Sequence, residues 1–192
     1  MSSSTSSTIT TYFQKILFRD PTTSELSSWT SSVGSGTLTL DQVRAQLVAS
    51  TEATSFVDPV IRLYQAAFGR VPESDGALDF YADRLRAGTA AVVDIAANFA
   101  ASPEFAARYG TTGPSAAYIT ALYVNVLGRT PAASEVDWYL NSGMTTAQML
   151  LGFSQSPEFQ SRSGAAVDAF LNSNALGTAV FTGPLLDRKS VV

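Results

Sequence analysis

The chain has 192 residues, 45% of them hydrophobic, with 12 basic against 16 acidic side chains and a net charge of -4; that is enough apolar content to fill a core in one or two domains. No basic run offers the phosphate-neutralising face that nucleic acid requires, so nucleic acid is excluded as a partner. Cysteine and histidine are both absent, which removes disulfides, thiolate and Ser-His-Asp catalysis, and the Cys-containing zinc frameworks.

Residues 1–7 are serine-rich and read as a flexible arm. They lack the basic and apolar regions of a cleaved secretory signal, and no run approaches the ~20 apolar residues of a membrane span. From Thr8 the spacing of Ile9, Tyr12, Phe13, Ile16 and Leu17 predicts a helix to about Phe18, stopped by Pro21. Thr22 with Glu25, and Thr39 with Gln42, fit capping boxes that open two more helices, the first presenting Leu26, Trp29 and Val33. These elements make up residues 8–56.

Asp58-Pro59 predicts a helix start, with aspartate as cap and proline at the first position. That helix carries Val60, Leu63, Tyr64 and Phe68 and ends at Gly69. Beyond Pro72 a helix holds Leu78, Tyr81 and Leu85, the next holds Val92, Ile95 and Phe99, and Ser102-Pro103-Glu104-Phe105 opens a short one. The unit spans 57–110, followed by a linker at Gly110 to Pro114. In 114–173 the same order returns: a helix over 115–127, Gly128, Thr130-Pro131, a helix with Val136 and Tyr139, a Thr145/Gln148 box, Ser156-Pro157 and a closing helix over 165–171. The tail, 174–192, is irregular.

Arg19, Arg70 and Arg129 recur at intervals of 51 and 59 residues, and Ser50, Ser102 and Ser156 at 52 and 54. A period of roughly 50 marks supersecondary units that bury their apolar faces against one another. The expected fold is therefore all-α: three degenerate helical repeats stacked into one body. The Gly-Arg-x-Pro turns (Gly69, Arg70, Pro72 and Gly128, Arg129, Pro131) need glycine for a left-handed residue and proline to fix the next helix. Arg70 and Arg129 are expected to pair with Glu104 and Glu158 as structural anchors, or else to bind a carboxylate ligand bidentately. Trp29, Phe80 and Tyr139 lie eight residues past their prolines and read as core, whereas Tyr81 and Trp138, one position off, are candidates to face outward and stack on sugar rings, with packing between repeats the favoured role for both. Asp75, Asp79 and Asp83 share one helix face, which reads as a solvated face with counter-charge from Arg84 and Arg86; the alternative makes Asp75 and Asp79 the candidates for calcium, although no EF-hand loop or glycine-rich calcium repeat occurs. No carboxylate pair or glycine-rich loop indicates catalysis, so no enzyme activity and no other cofactor is expected.

The pattern LYxxxLGRxP…W…FxxSPEF in 118–159, with its sibling in 60–105, resembles a bacterial family of uncharacterised helical repeats. That family recurs in secreted proteins, in those with calcium-binding RTX segments and in surface-layer proteins; the pattern is also similar to the phycobilisome linker domain. The resemblance implies export without a cleaved N-terminal signal, by a type I route, to the cell surface or medium. It implies a role in assembly with itself or another surface protein, or attachment to lipopolysaccharide or other surface polysaccharide. The alternative it carries is an intracellular scaffold linker.

Overall fold

The computed structural model describes residues 2–110 and 113–186, so Met1, part of the linker (Thr111 and Thr112) and the end of the tail lie outside the described residues. The described residues are all-α: eleven α-helices and no strand. They are α1 (Ser2–Tyr12), α2 (Thr23–Gly34), α3 (Leu40–Val48), α4 (Asp58–Phe68), α5 (Asp75–Arg86), α6 (Val92–Ala100), α7 (Pro103–Tyr109), α8 (Ala116–Leu122), α9 (Ala133–Asn141), α10 (Thr146–Ser154) and α11 (Pro157–Ala175). Three five-residue π-helical turns, Phe13–Leu17, Ala53–Val57 and Tyr123–Leu127, continue or precede these helices.

Local chemistry sets most boundaries as the sequence predicts. Reciprocal capping boxes form at Thr22/Glu25, Thr39/Gln42 and Thr145/Gln148, each satisfying two amide groups that the helix end would leave orphaned. Ser50, Ser102 and Ser156 make one joint three times over. Each hydroxyl accepts from the amide three residues on, at 3.2, 3.2 and 3.1 Å. Each also donates to the carbonyl three residues back, at 2.7, 2.7 and 2.9 Å.

Helix α4 is the centre of the body, buried at every residue from Asp58 to Ala67. It packs against α6, α7, α10 and α11, while α6 lies against α10, α1 against α2 and α3, and α11 returns over α3 and the first π-turn. The C-terminal helix thus closes on the N-terminal elements, and Phe13, Ile61, Phe105, Phe153 and Phe159 join one continuous core.

Four expectations need correction. The serine-rich arm is helical from Ser2, because α1 packs on α2 and α3 and its threonines bond back into the helix, Thr8 to the Ser4 carbonyl and Thr11 to that of Ser7. Asp58 caps nothing: the chain is already helical from Thr51, the position before α4 is Val57, and the Asp58 carboxylate is buried. The boundary drawn between 56 and 57 therefore falls inside one uninterrupted helical run. Finally, the short Ser156-Pro157 helix and the closing helix are a single 19-residue α11, since nothing in Gln160–Gly164 breaks the backbone pattern.

Candidate functional site

At each predicted turn an arginine is clamped between two carboxylates. Arg19 donates to Glu52 at 2.6 Å and Glu25 at 2.7 Å. Arg70 donates to Glu104 at 2.8 Å and Glu73 at 3.2 Å, and Arg129 to Glu158 and Glu135, both at 2.9 Å. Six residues before each arginine an aromatic ring lies beneath the guanidinium: Phe13 at 5.2 Å, Tyr64 at 5.5 Å and Tyr123 at 4.6 Å. The arginine hydrogen bonds hold Glu52 and Glu104 below the usual carboxylate range and bring Glu25 and Glu135 down to about 2. Arg70 and Arg129 are therefore saturated from within and have no free fork for an incoming carboxylate. Pro72 and Pro131 follow them in the turn, as anchors.

Gly69 and Gly128 end their helical runs at φ +73° and +72°. A second demand on them was missed: the guanidinium of Arg108 lies over Gly69 and that of Arg162 over Gly128. An added Cβ would come within 2.8 Å and 2.2 Å of their Nη1 atoms. The recurrence of arginine four residues after Glu104 and Glu158 was the available signal. Gly128→Ala is expected to cost about 1–2 kcal/mol in urea unfolding, from the left-handed backbone together with displacement of Arg162. Gly34→Ala, in a helix with nothing within 4 Å of the new methyl, is expected to be neutral or slightly stabilising.

The aromatics divide differently from the count taken from proline. Helix α5 begins three residues past Pro72, whereas α2 and α9 begin two past Pro21 and Pro131. The seventh residue of each helix is then Trp29, Tyr81 and Tyr139, and these are the inward rings. Tyr81 meets Tyr64 at 6.3 Å and Phe99 at 5.4 Å; Tyr139 meets Tyr123 at 6.2 Å and Phe153 at 5.1 Å. Tyr81 thus takes the packing role and not the outward one, while Phe80 is corrected from core to exposed, its ring covered by Arg84 at 3.5 Å.

Trp138 does face outward, at 59% exposure. It stands edge-on to Tyr139 at 4.8 Å, on the lip of a cleft of about 290 Å³ lined by Tyr123, Ser134, Glu135, Trp138 and Tyr139. Arg129 lies behind this cleft and fixes Glu135, which also accepts from the Ala132 amide at 2.8 Å. The result is an apolar platform beside a hydroxyl and a carboxylate held ionised by Arg129, a combination that suits a neutral polyhydroxylated ligand.

The candidate calcium face does not converge. Asp75 turns to Lys15 and to Asn174, at 2.7 Å from the amide, and Asp83 pairs with Arg86. Asp79 stays exposed, its carboxyl pushed up by desolvation and by Asp83 and Asp75. Among the described residues no three His, Cys, Asp or Glu side chains gather as a metal site, and no helix is long and apolar enough to cross a membrane.

A family model described as "Domain of unknown function (DUF4214)" matches residues 96–163. No curated protein and no solved structure matches the chain. The matched third of the sequence runs from α6 into α11, taking in the complete Arg129 clamp, Arg162 over Gly128 and the Trp138 cleft. It is similar to an uncharacterised family, and the match brings a helical pattern without an activity.

Proposed function

We propose that this chain is a non-enzymatic helical module of the bacterial cell surface, which attaches to lipopolysaccharide or another surface polysaccharide and assembles there. The observation that carries this reading is the exposed Trp138 on the lip of a cleft with Ser134 and the ionised Glu135. A sugar ring would stack on the indole while Glu135 accepts from its hydroxyls. The lining of the cleft supports binding over hydrolysis: a glycosidase needs a pair of carboxyls, one of them protonated near neutral pH, and Glu135, held ionised by Arg129, is the one carboxyl among the described residues that line it.

Labelled protein incubated with intact cells and with cells stripped of O-polysaccharide tests the reading. Binding is expected to intact cells, with Trp138→Ala about tenfold weaker, equivalent to about 1.4 kcal/mol, at unchanged thermal stability. Equal binding to both cell types, or a Trp138→Ala variant that binds like the parent, overturns it.

A further inference from the structure

Of the three arginine turns, numbered in chain order at Arg19, Arg70 and Arg129, the second carries a passenger. Residues 176–186 leave α11 without regular structure and cross the turn at Val71-Pro72. The Val71 amide donates to the Gly183 carbonyl at 2.8 Å, and the Thr182 amide to the Pro72 carbonyl at 3.2 Å. The Leu185 amide donates to Gln65 Oε1 at 3.0 Å. Val71 and Gln65 are buried as a result, and Val180, Pro184 and Leu185 line an apolar groove with Phe170.

The third turn has the same backbone, its glycine at φ 72°, ψ 23° against φ 73°, ψ 21° for the second. Counting from the arginines, Thr130 and Pro131 stand where Val71 and Pro72 do, and Val124 where Gln65 does. No described segment crosses them. Thr130 is exposed and Val124 is 49% exposed, and the Thr130 amide and Pro131 carbonyl have no hydrogen-bond partner among the described residues. The first turn is closed differently: Gln14 and Asp20, at the corresponding positions, bond each other at 2.8 Å.

We infer that the third turn is a docking site for the segment 178–186 of a second copy of this chain, released from its own second turn. The bare amide and carbonyl would take the two backbone bonds seen at Val71 and Pro72, and Val124 would replace the Gln65 contact with an apolar one. Tail and third turn are different surfaces, so the contact is heterologous and propagates head to tail. Because each tail must first leave its own turn, association of whole chains is weaker than binding of the free segment. This deepens the assembly half of the proposed function and rests on it, but uses no glycan.

The test is fluorescence anisotropy of a labelled peptide of sequence TAVFTGPLL titrated with the full chain. Saturable binding is expected, weakened at least about tenfold by Val124→Lys and unaffected by Gln65→Ala. Sedimentation velocity at high protein concentration should show oligomers that excess peptide disperses and that Val124→Lys lacks. Absence of saturable peptide binding, binding indifferent to Val124→Lys, or binding altered by Gln65→Ala, which would mean displacement of the resident tail, each overturns the inference. None of these outcomes bears on the Trp138 cleft.

Discussion

Arg62→Met is expected to lower stability by about 3–5 kcal/mol near pH 7.5 and by far less near pH 4.5. Arg62 and Asp58 are both buried in α4, 3.6 Å apart. Arg62 is held further by Gln155 Oε1 at 3.2 Å from Nε and Nη2, while Asp58 Oδ1 has no hydrogen-bond partner among the described residues. Desolvation, with a smaller contribution from Asp168 on α11 and against the pull of Arg62, pushes the Asp58 carboxyl up to about 6.

A carboxyl raised on folding binds its proton more tightly in the native state. Its contribution to stability is therefore complete below its unfolded value near 4 and is lost as pH rises through 6. Removing Arg62 takes away the group that opposes this rise and leaves a buried carboxylate without a counter-charge at neutral pH; at low pH the acid is neutral and the loss is small. Urea unfolding of parent and variant across this range gives the difference directly, and subtraction removes the opposite trend of the clamp glutamates. A deficit that does not change with pH would show that Arg62 acts by packing alone.

Glu52→Ala is expected to cost about 2–3 kcal/mol, against about 1 or less for Glu104→Ala. Both accept from a turn arginine, but Glu52 also accepts from Arg86 Nε at 2.9 Å. Its side chain is only 21% exposed, against 47% for Glu104. Removing it takes a partner from two largely buried guanidiniums, Arg19 and Arg86, rather than from one. Denaturant midpoints at unchanged m-value measure the contrast, and equal costs would show that the Arg86 bond is incidental.

The sequence shows the helical class and the turn architecture because both are written in short-range chemistry. Capping hydroxyls, positive-φ glycines and the arginine and glutamate spacing are local or recur in register. What it conceals depends on insertions and on distant partners. One extra residue between Pro72 and α5 exchanges Phe80 for Tyr81, and no count from proline detects it. Asp58 looks like a cap in every local respect; only the helical run arriving from Thr51 turns it into a buried charge. The tail carries no periodicity because its bonds go to a turn more than a hundred residues earlier. At the cleft, Trp138 was legible as an outward ring, whereas the neighbours that give it a polar edge, Ser134 and Glu135, gain their meaning only once Arg129 is seen holding the glutamate.

The first turn departs from its siblings in a way that reaches beyond itself. Phe18 occupies the left-handed position at φ 54° where the others have glycine, and Phe56 stands where they have Arg108 and Arg162. The missing guanidinium is supplied from outside: Arg86, at the end of α5, lies 6.0 Å from the Phe56 ring and donates to the Leu17 carbonyl at 2.6 Å. Self-sufficiency is thus graded along the polypeptide. The C-terminal third closes its own arginine turn with residues it contains, while the turn of the N-terminal third is completed by a side chain from its neighbour, so any excised or transplanted version of it must reach at least through Arg86 to keep that turn.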